Sequence, residues 1–124
     1  MRVNYAIVFV SDMKRSVAFY RDVVGLPLKF DSPQWSEFAT EGATFALHKA
    51  DVAADSSTPS QAERSDDAGT CRPGLSVQDL EAFHSRMLEH HVICTQQPKD
   101  LFGSKSAQYL DPDGLAISVS EERR

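Results

Sequence analysis

Few side chains in this 124-residue sequence can do chemistry, and they lie far apart along it. His48 closes an alternating segment, where an imidazole can hydrogen-bond a ligand or serve as a general base near neutral pH; the plainer alternative is a strand-end histidine bonded to backbone or water. Arg72 carries a fixed charge and a forked donor suited to a carboxylate, phosphate or enolate, or else pairs with a surface acid. Tyr5 offers a hydroxyl, although a strand tyrosine is commonly a packing residue with its tip in water. Trp35 and Glu37 alternate onto one strand face, an aromatic wall beside a carboxylate that fits a partly apolar ligand; an edge-strand tryptophan over the core and a solvated acid give the same pattern. Gln108 shares a hairpin face with Leu110 and can supply an amide contact.

Other polar residues read as structural. His84, His90 and His91 lack the i, i+4 spacing of a helical metal pair and read as surface residues, the last two favoured at a helix C-terminus. Asp111 and Asp113 read as turn formers. Cys71 and Cys94 form neither a CxxC motif nor a framework, so both read as reduced strand residues. The loop Leu101–Lys105, with an apolar tip and Gly103, has the make-up of a lid, as many plain connections do. No Walker loop, nucleophile elbow or zinc-protease helix is present.

Hydrophobic residues make up 41% of the chain and charged residues 25%, an ordinary globular composition that argues against disorder, collagen and coiled coil. The net charge of -5 gives no reason to expect a nucleic-acid or anionic-membrane partner. Residues 51–70 hold five acids and one base, so most of the acidity belongs to that segment. The apolar run near the start stops at Ser11, too short for a signal peptide or membrane span, and a soluble cytoplasmic protein is expected.

Positioning the candidate residues requires the elements around them. Residues 3–10 are rich in β-branched and aromatic side chains and run into the N-cap residues Ser11 and Asp12. Met13, Val17, Tyr20 and Val24 then line one face of a helix that Gly25 stops. Alternating segments at 26–30, 34–40 and 44–49 complete β-α-β-β-β. After the polar connector 51–70 the pattern returns: a strand at 71–77, a helix capped by Asp79 with Leu80, Phe83, Met87 and Leu88 on one face, a short strand at 92–95, a loop at 98–105, and a hairpin turning at Asp111–Gly114. Val10-Ser11-Asp12-Met13 recurs as Val77-Gln78-Asp79-Leu80, and Gly42 with Phe45-Ala46-Leu47 recurs as Gly114 with Ile117-Ser118-Val119.

With the segments VFVSDMKRSVAFYRDVVGLPL (8–28) and DPDGLAISVSE (111–121), and this repeat, the sequence resembles the glyoxalase, bleomycin-resistance and extradiol-dioxygenase superfamily, the vicinal oxygen chelate fold. The resemblance implies an α+β fold over 1–124 in which βαβββ modules 1–50 and 71–121 form a curled mixed sheet with a cup-shaped cleft, helices outside, commonly as a homodimer. It also implies, for the family's enzymes, one divalent metal. The positions matching the usual ligands are Tyr5, Ala46, Arg72 and Ser118, none a conventional donor, and a single histidine at His48 falls short of the three donors a catalytic metal needs. The expectation is therefore a protein that binds a small anionic or aromatic molecule without a metal or other cofactor, through Tyr5, Trp35, Glu37, His48, Arg72, Gln108 and Ser118. The alternatives are a lyase, isomerase or dioxygenase with an irregular metal set or His48 as base, and a partner-binding dimer whose cup is filled by its own side chains.

Overall fold

A computed structural model of the chain describes residues 1–51, 68–101 and 103–122, and of Leu101 the backbone alone. The chain divides into two compact units, Met1–Thr58 and Pro59–Arg124. Most of the connector expected at 51–70 lies outside the described residues.

The first unit runs β1 (Tyr5–Val10), α1 (Met13–Ala18), a π-helical continuation (Phe19–Val24), β2 (Leu28–Phe30), β3 (Trp35–Phe38) and β4 (Thr44–Lys49). Its sheet has the order β1-β4-β3-β2, with β1 parallel to β4 and the other pairs antiparallel. The second unit runs β5 (Gly74–Val77), α2 (Leu80–Glu89), β6 (Cys94–Leu101), β7 (Ser104–Leu110) and β8 (Ala116–Glu121), in the order β5-β8-β7-β6 with β5 parallel to β8. The architecture is the α+β pair of βαβββ modules that the sequence predicts.

The repeat extends to backbone detail. Asp12 and Asp79 take nearly the same extended conformation, φ/ψ of -136/102 and -134/99 degrees. Each accepts from the backbone N–H three residues on, Arg15 or Ala82, at 3.1 Å. At α2 the Glu121 carboxylate also accepts from Leu80 N–H at 3.1 Å, satisfying a second open donor of that helix end.

In each sheet one face packs on its helix. Val8, Val10, Ser36, Phe38, Phe45 and Leu47 are buried on one side with Met13, Val17, Phe19 and Tyr20. Ala107, Tyr109, Ile117 and Val119 are buried on the other with Leu80, Phe83 and Met87. Such burial of aliphatic and aromatic side chains, about 1.5–3 kcal/mol for each large one, is what fixes the sheet register.

Five expectations need correction. Cys71 is exposed and precedes β5, which begins at Gly74, so it is not a strand residue. Leu88 is 53% exposed, because the apolar stripe of α2 ends at Met87. His84 is half-buried, with Nδ1 hydrogen-bonded to Tyr109 Oη at 2.9 Å. The loop expected at 98–105 is strand: β6 carries Pro98 on a sheet edge, with register shifts between Cys94 and Lys99 absorbing the missing N–H. Leu101 pairs with Ser104 across a tight turn holding Gly103 at φ 79 degrees, which replaces the lid; Phe102 lies outside the described residues.

The two helices end differently for a countable reason. Tyr20 and Met87 occupy equivalent buried positions, but the following left-handed residue comes five positions later in the first module, at Gly25, and four later in the second, at His91 (φ 58 degrees). The additional residue widens the first helix into its π segment, where Gly25 N–H bonds Tyr20 C=O at 3.1 Å. Phe19 and Tyr20 consequently both turn inward, edge to face at 5.0 Å between centroids.

Candidate functional site

Strand alternation that buries one face of each sheet on a helix leaves the other face open, and every candidate strand residue lies on an open face. On the first sheet the register places Phe9, His48 and Trp35 side by side, with Ile7, Ala46 and Glu37 in the next row and Tyr5 beside Thr44 in the third. The rings form a connected chain. Tyr5 and Trp35 meet edge to face at 6.2 Å, Trp35 and His48 at 6.0 Å and 87 degrees, and Phe9 and His48 tilt together at 5.2 Å. Ala46 is fully buried in the middle strand, and its single methyl leaves the room in which rings from both flanking strands approach. Trp35, Glu37 and His48 are half-buried, whereas Tyr5, Ile7 and Phe9 are 49%, 47% and 64% exposed.

One contact sets the polarity of His48. Its Nδ1 lies 2.7 Å from the Lys49 carbonyl, which can only accept, so Nδ1 carries the proton and donates. In the neutral ring Nε2 is then the lone-pair acceptor, held in a fixed orientation between Phe9 and Trp35.

The open face of the second sheet has another chemistry. One row crosses Gly74, Ser118, Gln108 and Gln96; the next crosses Ser76, Ser120, Ser106 and Lys99. Hydroxyls and amides replace rings. Gln96 Nε2 donates to the Ser106 carbonyl at 3.3 Å, and the pairing extends one residue before β5, where Ser118 N–H bonds Pro73 C=O at 2.9 Å. Arg72 stands just beyond that point, half-buried and with interaction partners of its own.

The structure thus brings Tyr5, Trp35, Glu37 and His48 together on one sheet, and Gln108 with Ser118 on the other, with Arg72 beside the latter pair. Phe9 and Ile7 were missing from the sequence reading, although the alternation that singles out Tyr5 also reaches them. An open concavity of about 470 Å³ adjoins the first face at Tyr5 and Thr44; its remaining polar side chains, Arg2, Asn4 and Glu41, are exposed, with Arg2 Nε donating to Asn4 Oδ1 at 3.0 Å.

A divalent metal of the kind the family's enzymes use does not fit these residues. The four matching positions present a phenol, a buried methyl, a guanidinium and a hydroxyl, and among the described residues no group of three or more His, Cys, Asp or Glu side chains converges. Desolvation pushes the half-buried Cys94 thiol up, and burial, with Cys94 and Glu81 nearby, pushes the Tyr109 phenol up, so both hold their protons near neutral pH. Among the described residues no helix is long and apolar enough to cross a membrane.

Comparison with known proteins agrees with the fold. The chain is 29% identical over 119 residues to the phenazine antibiotic resistance protein EhpR of Enterobacter agglomerans, covering 94% of this chain and 88% of that one. TnmS3, an antibiotic binding protein from Streptomyces sp. CB03234, superimposes with a TM-score of 0.72 at 27% identity over 99% of this chain and 97% of its own. A glyoxalase/dioxygenase from Nostoc punctiforme, 17% identical, shares the fold with a TM-score of 0.77 over 99% and 92%. The sequence also matches a family model over residues 2–119, and with the doubled, identically capped βαβββ module this establishes that the chain belongs to the Glyoxalase/Bleomycin resistance protein/Dioxygenase superfamily.

Proposed function

We propose that this protein binds a small planar aromatic molecule on the open face of its first sheet, without a metal, in the manner of an antibiotic-sequestering protein. The observation that carries the reading is the connected set of rings Tyr5–Trp35–His48–Phe9, partly exposed and held over a buried Ala46. Exposed aromatic faces gain from stacking against a ligand ring beyond the area they bury. EhpR, a phenazine antibiotic resistance protein, supports a planar aromatic ligand, and TnmS3, an antibiotic binding protein, supports small-molecule binding. An anionic ligand rests on Arg72 alone, which already has partners within the chain, so the aromatic property is the one we adopt. Homodimerisation and a cytoplasmic location belong to the proposal too.

Differential scanning fluorimetry against a panel of planar aromatics, with and without EDTA, tests it. A ligand at a hundred times its Kd stabilises by about 2.7 kcal/mol, a shift of several degrees. We expect shifts for wild type that survive EDTA and vanish in Trp35→Ala. No shift with any compound, or shifts abolished by EDTA, overturns the proposal.

A second reading has its own support in the His48 Nε2 acceptor, a group able to take a proton from a bound substrate. Turnover that persists in EDTA and is lost in His48→Gln identifies an enzyme with His48 as base.

A further inference from the structure

The ring cluster says that a ligand is flat; the polar groups around it say which functional groups it carries. Trp35 is the only tryptophan of the chain and stands between two acceptors. His48 lies across the ladder from it, with Nδ1–H spent on the Lys49 carbonyl and Nε2 left to accept. Glu37 lies two residues along β3 from Trp35, on the same face, half-buried, with an acceptor-only carboxylate. Diagonal neighbours across a strand pair stand roughly 7–8 Å apart, close to the span of a fused-ring ligand. Of the positions paired across β1, β4 and β3 on this face, Tyr5, Ile7, Phe9, Trp35, Glu37, Thr44, Ala46 and His48, none is Lys or Arg, and β2 adds Phe30 opposite Glu37. Arg2 lies beyond the Tyr5 end, seven residues before Phe9, whose row holds His48.

We propose that this face selects planar aromatic ligands that carry hydrogen-bond donors, such as ring amino groups, and discriminates against aromatic carboxylates, with His48 Nε2 and the Glu37 carboxylate as the two acceptors. The inference rests on the binding reading above and adds a sign to it. A ring stacked on Trp35 brings an edge amino group within reach of either acceptor, while a carboxylate placed there meets Glu37 as a like charge and the Nε2 lone pair as a second acceptor. A site built from buried or half-buried acceptors rejects the ligand that leaves them unpaired more strongly than a hydrophobic wall rejects a change of shape.

The solitary Trp35 gives the test a reporter on this face. Quenching is titrated with three matched probes, 2-aminophenazine, phenazine and phenazine-2-carboxylate, in wild type, Glu37→Gln and His48→Phe. The expected result is binding of 2-aminophenazine about tenfold tighter than phenazine-2-carboxylate, with the preference reduced in each variant; far-UV circular dichroism matching wild type shows that the variants fold. Equal or tighter binding of the carboxylate overturns the inference and leaves the aromatic face standing as a site. A preference that persists in both variants removes these two residues as its cause. Absence of quenching by all three probes overturns the aromatic site itself, and the inference with it.

Discussion

The two modules share a backbone plan and differ on their open faces. Asp12 and Asp79 cap their helices with the same torsions and the same bond length, and the parallel pairs close with equivalent contacts, Ala50 N–H to Val10 C=O and Glu122 N–H to Val77 C=O, each at 2.8 Å. Yet the first open face carries Tyr5, Phe9, Trp35 and His48, and the second carries Ser76, Ser106, Ser118, Ser120 and Gln108. The caps and helix-facing residues hold each module together, so they retain the same roles in both. The open faces do not hold their own module together and have diverged. On this reading function is found where the repeat breaks.

The largest effects test the shared half of the comparison. Tyr20→Ala and Met87→Ala remove equivalent fully buried side chains, and chemical denaturation is expected to show losses of about 3–5 and 2–5 kcal/mol. A loss below about 1 kcal/mol in either would show that module to lack the core described. Next comes the divergent half: Trp35→Ala should weaken phenazine binding by at least about tenfold, roughly 1.4 kcal/mol, while Gln108→Ala and Ser118→Ala change it less than about twofold in calorimetric titration. The reverse ranking would move the site to the second sheet.

A smaller effect belongs to the second module through Tyr109. Burial raises its phenol above the ordinary value, so the native state keeps a proton that the unfolded chain gives up near pH 10. Its contribution to stability is therefore complete below about pH 10 and declines as pH rises toward the higher folded value. Denaturation between pH 9 and 11 should show stability falling with pH, and Tyr109→Phe should flatten that slope by about one proton, up to about 1.4 kcal/mol per pH unit. The smallest effect is at the helix ends. His91 holds a left-handed conformation that Gly25 holds at no side-chain cost, so His91→Gly should raise stability by about 0.5–1 kcal/mol in thermal unfolding, whereas Gly25→Ala should lower it.

What the sequence made legible follows the range of the interaction responsible. Caps, the Gly25 stop and the Asp111 turn are local: Asp111 accepts from Asp113 and Leu115 N–H at 2.9 Å, all within four residues. Trp35 with Glu37, and Gln108 with Leu110 on one hairpin face, followed from strand alternation. Phe9 was equally accessible by alternation from Tyr5, but an apolar residue in an apolar strand reads as core until burial shows otherwise. The rest depends on distant partners. The bond between His84 and Tyr109 joins residues 25 apart, and Pro98 is tolerated only because β6 lies on a sheet edge, a fact of strand order that no local window contains. The π segment is visible only when both modules are counted against each other.

The ligand is expected on the aromatic face of the first module rather than on the hydroxyl-lined face of the second. Chemical-shift mapping of the labelled protein with a saturating planar aromatic tests it most directly. Ring-current shifts are expected at the Trp35 indole N–H, the Tyr5 and Phe9 rings and the amides of Ile7 and His48, with Ser76, Ser118 and Ser120 little changed. Shifts confined to Ser76, Gln108, Ser118 and Ser120 would contradict the claim.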